Sequence, residues 1–219
     1  MRETIRVPVM EAVLTENDRL AEKMHGTFER RGIFVVNVLG APGAGKTTSL
    51  IRIIERLADK NVGVIEGDIE SDIDTKKLEA LGIPTQQINT QGACHLDAPV
   101  IDQAADNLKL TDGSMLFIEN VGNLVCPAEF YIGEHVKLLI LTVTEGSDKP
   151  YKYPLAFEKA DVILINKCDL IPYVDFDEAY FMKGVRSLNK TAPVFKVSGK
   201  TGEGYEEAAR WLEQKRKGQ

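Results

Sequence analysis

Residues 40–47, Gly40-Ala41-Pro42-Gly43-Ala44-Gly45-Lys46-Thr47, constrain the fold more than any other stretch, because they fit G-x-x-x-x-G-K-[ST] and are flanked by the two elements that give the pattern meaning. Residues 33–39 before them (IFVVNVL) are β-branched and apolar almost throughout, as in a strand buried on both faces. Residues 49–58 after them (SLIRIIERLA) space their apolar side chains for one face of a helix. A glycine-rich turn between a buried strand and a helix N-terminus is a phosphate cradle. The glycines let backbone N–H groups curl around an anion, the helix dipole favours negative charge, Lys46 is expected to reach the β- and γ-phosphates, and Thr47, followed by Thr48, offers a hydroxyl to Mg²⁺.

The base is read from a second loop. Asn166-Lys167-Cys168-Asp169 follows the strand-like run 162–165. A carboxylate at Asp169 only accepts hydrogen bonds, which suits the two adjacent N–H donors of guanine and leaves adenine mismatched. Ser198, Gly199 and Lys200, after the run 194–197, form a third loop placed to contact guanine O6. Together these loops favour GTP over ATP. Cys168 is expected to pack, not react.

Acidic residues close two further strand-like runs, where a parallel sheet presents its nucleotide crevice. Asp68 and Glu119 are therefore expected to contact Mg²⁺, directly or through water, with Asp72 orienting the attacking water and Gly122 offering its N–H to the γ-phosphate.

Cys94-His95 precedes a helix that Asp97 is expected to cap, and Cys126 stands four residues beyond Gly122. Two thiols and an imidazole suit Zn²⁺ or Ni²⁺. Spacing alone leaves open the alternative, in which both thiols are small buried side chains and His95 a loop residue. If Gly122 follows the γ-phosphate, the segment carrying Cys126 must move with it, and metal and nucleotide affinities are then expected to be linked. His25 and His135 are expected to be isolated surface groups.

With these residues assembled, the chain resembles the HypB family of hydrogenase maturation GTPases from Gly32 to about Trp211, through GAPGAGKT, EGDIESDID, GACHLDA, ENVGNLVCP, TEGSDKPYKYP, NKCD and SGKTGEG. GACHLDA and ENVGNLVCP are the specific pieces. The resemblance implies a slow GTPase of the SIMIBI class that forms a GTP-dependent homodimer around its nucleotide, with a Ni²⁺ or Zn²⁺ site at Cys94, His95 and Cys126 near the subunit interface. It also implies a nickel-carrying partner and a hydrogenase large-subunit precursor. Asn123 stands where Ras-like proteins place a glutamine to position water. Two departures narrow this. Many relatives carry an N-terminal Cys-rich nickel motif and a His-rich tract, whereas here no cysteine precedes Cys94 and only His25 precedes His95, so a high-affinity nickel store on this chain is not expected. The sister family that matures urease typically carries a Cys-Pro-His triplet, whereas here Cys94-His95 and Cys126-Pro127 are separate. Maturation of urease or a cobalamin enzyme is accordingly the alternative client role, and a GTP-held dimeric scaffold with structural zinc the alternative class.

The 219 residues, 43% of them hydrophobic, suit one α/β domain with a mostly parallel sheet of about seven strands, near 33–39, 62–66, 84–89, 115–119, 137–144, 161–166 and 193–197. Residues 1–31 are expected to form an amphipathic helical segment ahead of the GTPase domain at 32–219, with Met10, Val13, Asn17, Leu20, Met24 and Phe28 on one face until Gly26 and Gly32 interrupt it. Packing on the chain's own domain is the expected role of that face, and partner binding the alternative. Lys149-Pro150-Tyr151-Lys152-Tyr153-Pro154 follows a strand without a helical pattern, and Lys149 or Lys152 is a candidate to cross a dimer interface. A net charge of −6 gives no broad footprint for nucleic acid. Three cysteines, no secretory signal and no apolar run near twenty residues lead us to expect a cytoplasmic protein with no membrane association.

Overall fold

The computed structural model describes the backbone of residues 8–68 and 73–218, and the side chains of these except 8–14, 68, 73 and 74. Seven strands form one wholly parallel sheet: β1 (Phe34–Gly40), β2 (Val62–Asp68), β3 (Thr85–Asn89), β4 (Met115–Glu119), β5 (Val136–Thr142), β6 (Val162–Asn166) and β7 (Val194–Lys196), in the order β3-β2-β4-β1-β5-β6-β7. All seven fall where the apolar runs place them, within two residues at each end. β1 lies at the centre because helices cover both its faces, which is why its apolar run is nearly unbroken. Along it, Phe34, Val36 and Val38 point to one side and Val35 to the other.

The Val36 side is closed by α2 (Lys46–Ile54) and α9 (Tyr205–Lys217), through Leu50, Ile53 and Leu212. The Val35 side is closed by α1 (Pro8–Arg30) and α4 (Ala98–Leu108), through Ala21, Met24, Phe28 and Ile101. Further along, α7 (Pro154–Lys159) and α8 (Glu178–Leu188) cover β5 and β6 with Phe157, Phe181 and Val185. The short helices α3 (Ile73–Ala80), α5 (Cys126–Glu129) and α6 (Lys149–Lys152) complete the set.

The N-terminal helix packs on the chain's own sheet. Met24 and Phe28 are buried to 3% and 6% exposure, and burying each contributes about 1.5–3 kcal/mol. Asn17 fastens the same face, donating to Tyr131 O at 2.7 Å and accepting from Ala98 N at 2.9 Å. Met10 and Val13 have side chains outside the described residues. Gly26 does not interrupt this helix. A single glycine costs about 1 kcal/mol in a helix interior, less than the burial beside it contributes, so the helix ends only at Arg30, before Gly32 turns the chain with φ +62°.

Two other expectations are corrected. Residues 149–154, which show no helical pattern in sequence, form α6 and α7 in succession, with Pro150 and Pro154 in their first turns, where a missing N–H costs nothing. Both lysines are engaged within the chain, Lys149 with Glu145 at 3.3 Å and Lys152 with Asp148 at 2.5 Å. Nor are His25 and His135 isolated: their ring centroids lie 4.4 Å apart, and Glu29 joins them within ion-pair range of His25. Val35 N–H donates to Nδ1 of His135 at 2.9 Å, which puts that ring's proton on Nε2, while His25 Nδ1 faces Gly133 O at 3.2 Å. Burial, with His25 alongside, lowers the His135 pKa from 6.5 to about 4.

Among the described residues no helix is long and apolar enough to cross a membrane.

Candidate functional site

At the head of the central strand, space forces the cradle. A side chain at Gly40 would meet Ile140 O at 2.7 Å, and one at Gly45 would meet Asn166 Nδ2 at 2.6 Å, while Gly43 and Gly45 hold φ of +75° and +85°. Gly45 caps α2 with no side-chain hydrogen bond, and no acidic residue occupies the helix's first turn. The first-turn N–H groups therefore lack a capping side-chain acceptor, and the helix's own first turn adds no negative charge. Lys46 and Thr47 are buried in that turn. Thr47 Oγ1 donates to Glu119 Oε1 at 3.0 Å, so the first turn of α2 is tied to the end of β4. A hydroxyl and a carboxylate oxygen held together beside an anion cradle are hard donors, the chemistry that suits Mg²⁺. Asp68 ends β2, but its side chain lies outside the described residues, and Asp72 lies outside them altogether.

The two loops expected to read the base converge on the other side of the cradle. Asn166, 2% exposed, is the brace: Nδ2 donates to Ala44 O at 2.9 Å, and Oδ1 accepts from Lys167 N at 2.7 Å and Gly199 N at 3.1 Å. Lys167 takes a left-handed conformation (φ +59°) and its Nζ donates to Gly43 O at 2.9 Å. Asp169 is aimed by Ser198, whose hydroxyl donates to Oδ1 at 2.6 Å. Gly45, Thr48, Asn166, Lys167, Asp169 and Lys200 are among the residues lining a pocket of about 290 Å³. Cys168 is half-buried beside Glu203, and desolvation raises its thiol pKa, the behaviour of an unreactive packing residue.

Cys94, His95 and Cys126 come together, with their ligand atoms all within 4.8 Å of one another, and Cys94 is exposed while the other two are half-buried. Cys94 Sγ and His95 Nδ1 are 3.4 Å apart. A hydrogen bond with the Cys126 sulfur, then burial, raises the Cys94 pKa, because both favour the protonated thiol over the thiolate. Burial lowers the His95 pKa, keeping its imidazole neutral, the form that offers a lone pair. Two anchors fix this loop. Asp97 caps α4, accepting from Val100 N at 3.3 Å, and the His95 ring stacks on Phe130 at 3.8 Å.

The segment leaving β4 joins both halves. Glu119 contacts Thr47, a side chain at Gly122 would meet Pro42 at 3.0 Å, and Asn123 pairs with Gly40 in a single antiparallel bridge. Three residues later comes Cys126. Sequence reasoning missed Phe130 and a buried polar chain in which Asn120 Nδ2 donates to Asn37 Oδ1 at 3.3 Å and Asn37 Nδ2 to Glu134 Oε1 at 3.4 Å. The one signal available was Asn37 itself, a polar residue amid an apolar strand.

Comparison with known proteins places these features among relatives. The model of the family described as CobW/HypB/UreG, nucleotide-binding domain, matches residues 34–196. The chain is similar to the hydrogenase maturation factor HypB of Azotobacter chroococcum mcd 1, with 46% identity over 211 residues, covering 96% of this chain and 69% of that protein. Its structure is similar to that of HypB from Helicobacter pylori in complex with nickel, with TM-score 0.88 and 35% identity over 93% of this chain and 96% of that one. It is also similar to HypB from Archaeoglobus fulgidus, with TM-score 0.85 and 37% identity over 93% and 100%.

Proposed function

Because the chain belongs to the CobW/HypB/UreG family of nucleotide-binding domains, we propose that it is a GTP hydrolase that couples GTP binding and turnover to delivery of nickel during maturation of [NiFe] hydrogenase. In this reading the P-loop from Gly40 to Thr48, with Gly122, binds the phosphates, and Asn166, Lys167, Asp169, Ser198, Gly199 and Lys200 bind the guanine. Lys46 stabilises the phosphoryl group, Glu119 and Asp68 serve the metal–phosphate end, and Asp72 orients water. Mg²⁺, when bound by Thr47, Asp68 and Glu119, supplies positive charge against the phosphate oxygens. Nickel is the cargo, held by Cys94, His95 and Cys126, with Zn²⁺ as a competing occupant.

The observation that carries this reading is the single short segment that begins at Glu119, in contact with Thr47, and ends at Cys126 beside Cys94 and His95. A ligand that pulls on one end changes the geometry at the other. GTP-dependent homodimerisation, a nickel-carrying protein that loads the site and a hydrogenase large-subunit precursor that receives the ion complete the proposed cycle. With Lys149 and Lys152 paired to their own chain, either lysine must leave its carboxylate to serve a dimer interface.

Nickel titration of the wild-type protein and of Cys94→Ala, each loaded with GDP and with a slowly hydrolysed GTP analogue, tests the reading. Wild type is expected to bind nickel at least fivefold more tightly in one nucleotide state than in the other, and Cys94→Ala to lose the site in both. Equal nickel dissociation constants in the two wild-type states refute the coupling. Absence of GTP hydrolysis above background, even with partners present, would leave a scaffold with structural zinc.

A further inference from the structure

Two asparagines on the segment leaving β4 grip the metal loop on either side of His95. Asn120 Oδ1 accepts the N–H of Leu96 at 3.1 Å, and Asn123 Nδ2 donates to the carbonyl of Cys94 at 3.1 Å. Their surroundings differ. Asn120 is 1% exposed, its Oδ1 also accepts Val121 N–H at 3.0 Å, and its Nδ2 is tied to Asn37 inside the sheet. It is a fixed post. Asn123 is half-buried, follows the glycine that lies against Pro42, and pairs through its backbone with Gly40 at the mouth of the P-loop. Its Oδ1 accepts Val125 N–H at 3.0 Å, making the turn that delivers Cys126.

We infer that Asn123 is the positioning residue through which nucleotide state reaches the metal site: its side-chain amide couples the Cys94 carbonyl to the backbone stretch that meets the P-loop. The inference rests on the reading above, that metal affinity follows the nucleotide, and assigns that dependence to specific atoms. When Gly122 shifts at the phosphate, Asn123 shifts with it. Leu96 stays with Asn120, so the chain between the two anchors must absorb the difference. Cys94 and Cys126 then move with the Asn123 side while His95 stays stacked on Phe130 and tied through Leu96, and the three ligand atoms change their spacing. Because the clip is a neutral, partly exposed hydrogen bond, it supports a change of roughly two- to tenfold in affinity and no more.

Two substitutions separate this from a merely structural role. Asn123→Ala removes both side-chain bonds. Asn123→Asp keeps an oxygen for Val125 N–H while replacing the donor that holds Cys94 O, so the turn toward Cys126 survives. Nickel alone is titrated against a chromophoric chelator into wild type and both variants, each with GDP and with the GTP analogue, and the readout is the ratio of the two dissociation constants. A wild-type ratio of about five- to tenfold is expected to fall to within twofold of unity in both variants while each still binds nickel. Variants that keep the wild-type ratio overturn the inference, and so do variants that lose nickel equally in both states, because Asn123 would then support the site without transmitting anything. A wild-type ratio of unity instead brings down the coupling reading itself, and this inference with it.

Discussion

Replacing Asp169 by asparagine is expected to turn a guanine site into a poor one and to admit xanthine nucleotides in its place. The carboxylate is already oriented: Ser198 Oγ donates to Oδ1 at 2.6 Å and itself accepts Thr201 N–H at 3.2 Å. Guanine presents two parallel donors to such a group. In the Asp169→Asn variant the retained Oδ1 keeps the Ser198 bond, so the new Nδ2 takes the place of Oδ2 and points a donor at a donor. One charge-assisted hydrogen bond is lost, about 1.5–3 kcal/mol, and an unsatisfied pair of donors is left in the pocket, about 1–3 kcal/mol. The sum, about 2.5–6 kcal/mol, corresponds to a loss of roughly 10²- to 10⁴-fold in guanine nucleotide affinity at 1.4 kcal/mol per decade. Xanthine carries a carbonyl oxygen where guanine carries its amino group, and so restores one acceptor opposite Nδ2. Calorimetric titration of wild type and Asp169→Asn with GDP, XDP and ADP makes the comparison. Wild type should prefer GDP, and the variant XDP, with neither binding ADP well. If the variant binds GDP within threefold of wild type, or if wild type accepts ADP as readily as GDP, the assignment of this loop to guanine is wrong.

The glycines and the half-buried His135 give two further tests. Gly45→Ala places a methyl group at φ +85° and 2.6 Å from the Asn166 amide that braces the loop, whereas Gly43→Ala, at φ +75°, meets nothing within 4 Å. The first is expected to lose at least tenfold in GDP affinity and about 1–3 kcal/mol in urea-unfolding stability, the second only about 1 kcal/mol of stability from the left-handed conformation; equal effects would show that clash with Asn166 is irrelevant. For His135 the native ring, with its pKa near 4, stays neutral between pH 6.5 and 4 while the unfolded chain takes up a proton. Its contribution is complete above about pH 6.5 and is lost as pH falls toward 4. The full gap sets a ceiling near 3 kcal/mol, screened by the ring's partial exposure to about 1–2 kcal/mol. His135→Asn, which offers an amide oxygen to Val35 N–H, should lose about 1 kcal/mol less than wild type between pH 7 and pH 5 in urea unfolding; parallel losses would refute the assignment.

What was legible in the chain follows from what its patterns encode. Apolar runs report burial on both faces, so the seven strands and the cradle after β1 could be located from neighbours in sequence alone. Glycine at 45 is legible because the turn demands it, and Asp97 because a helix start needs an acceptor. Contacts across the sheet carry no such mark. His25 and His135 are separated by most of the sheet's first half in sequence, and nothing local to either residue points to the other. The same is true of Phe130 beneath His95. The cluster of Cys94, His95 and Cys126 stood between: its chemistry was readable, but its assembly depended on strand order. β4 lies between β1 and β2, so the segment leaving it passes the P-loop that follows β1. The loop that enters α4 reaches the same segment through Leu96 and Cys94. Were β4 at an edge of the sheet, Glu119 could not reach Thr47 while Asn123 held Cys94. The proximity of phosphate cradle and thiol cluster is thus a property of the topology, whereas the coupling proposed above depends on a few side chains, Asn123 foremost, that the fold itself does not require.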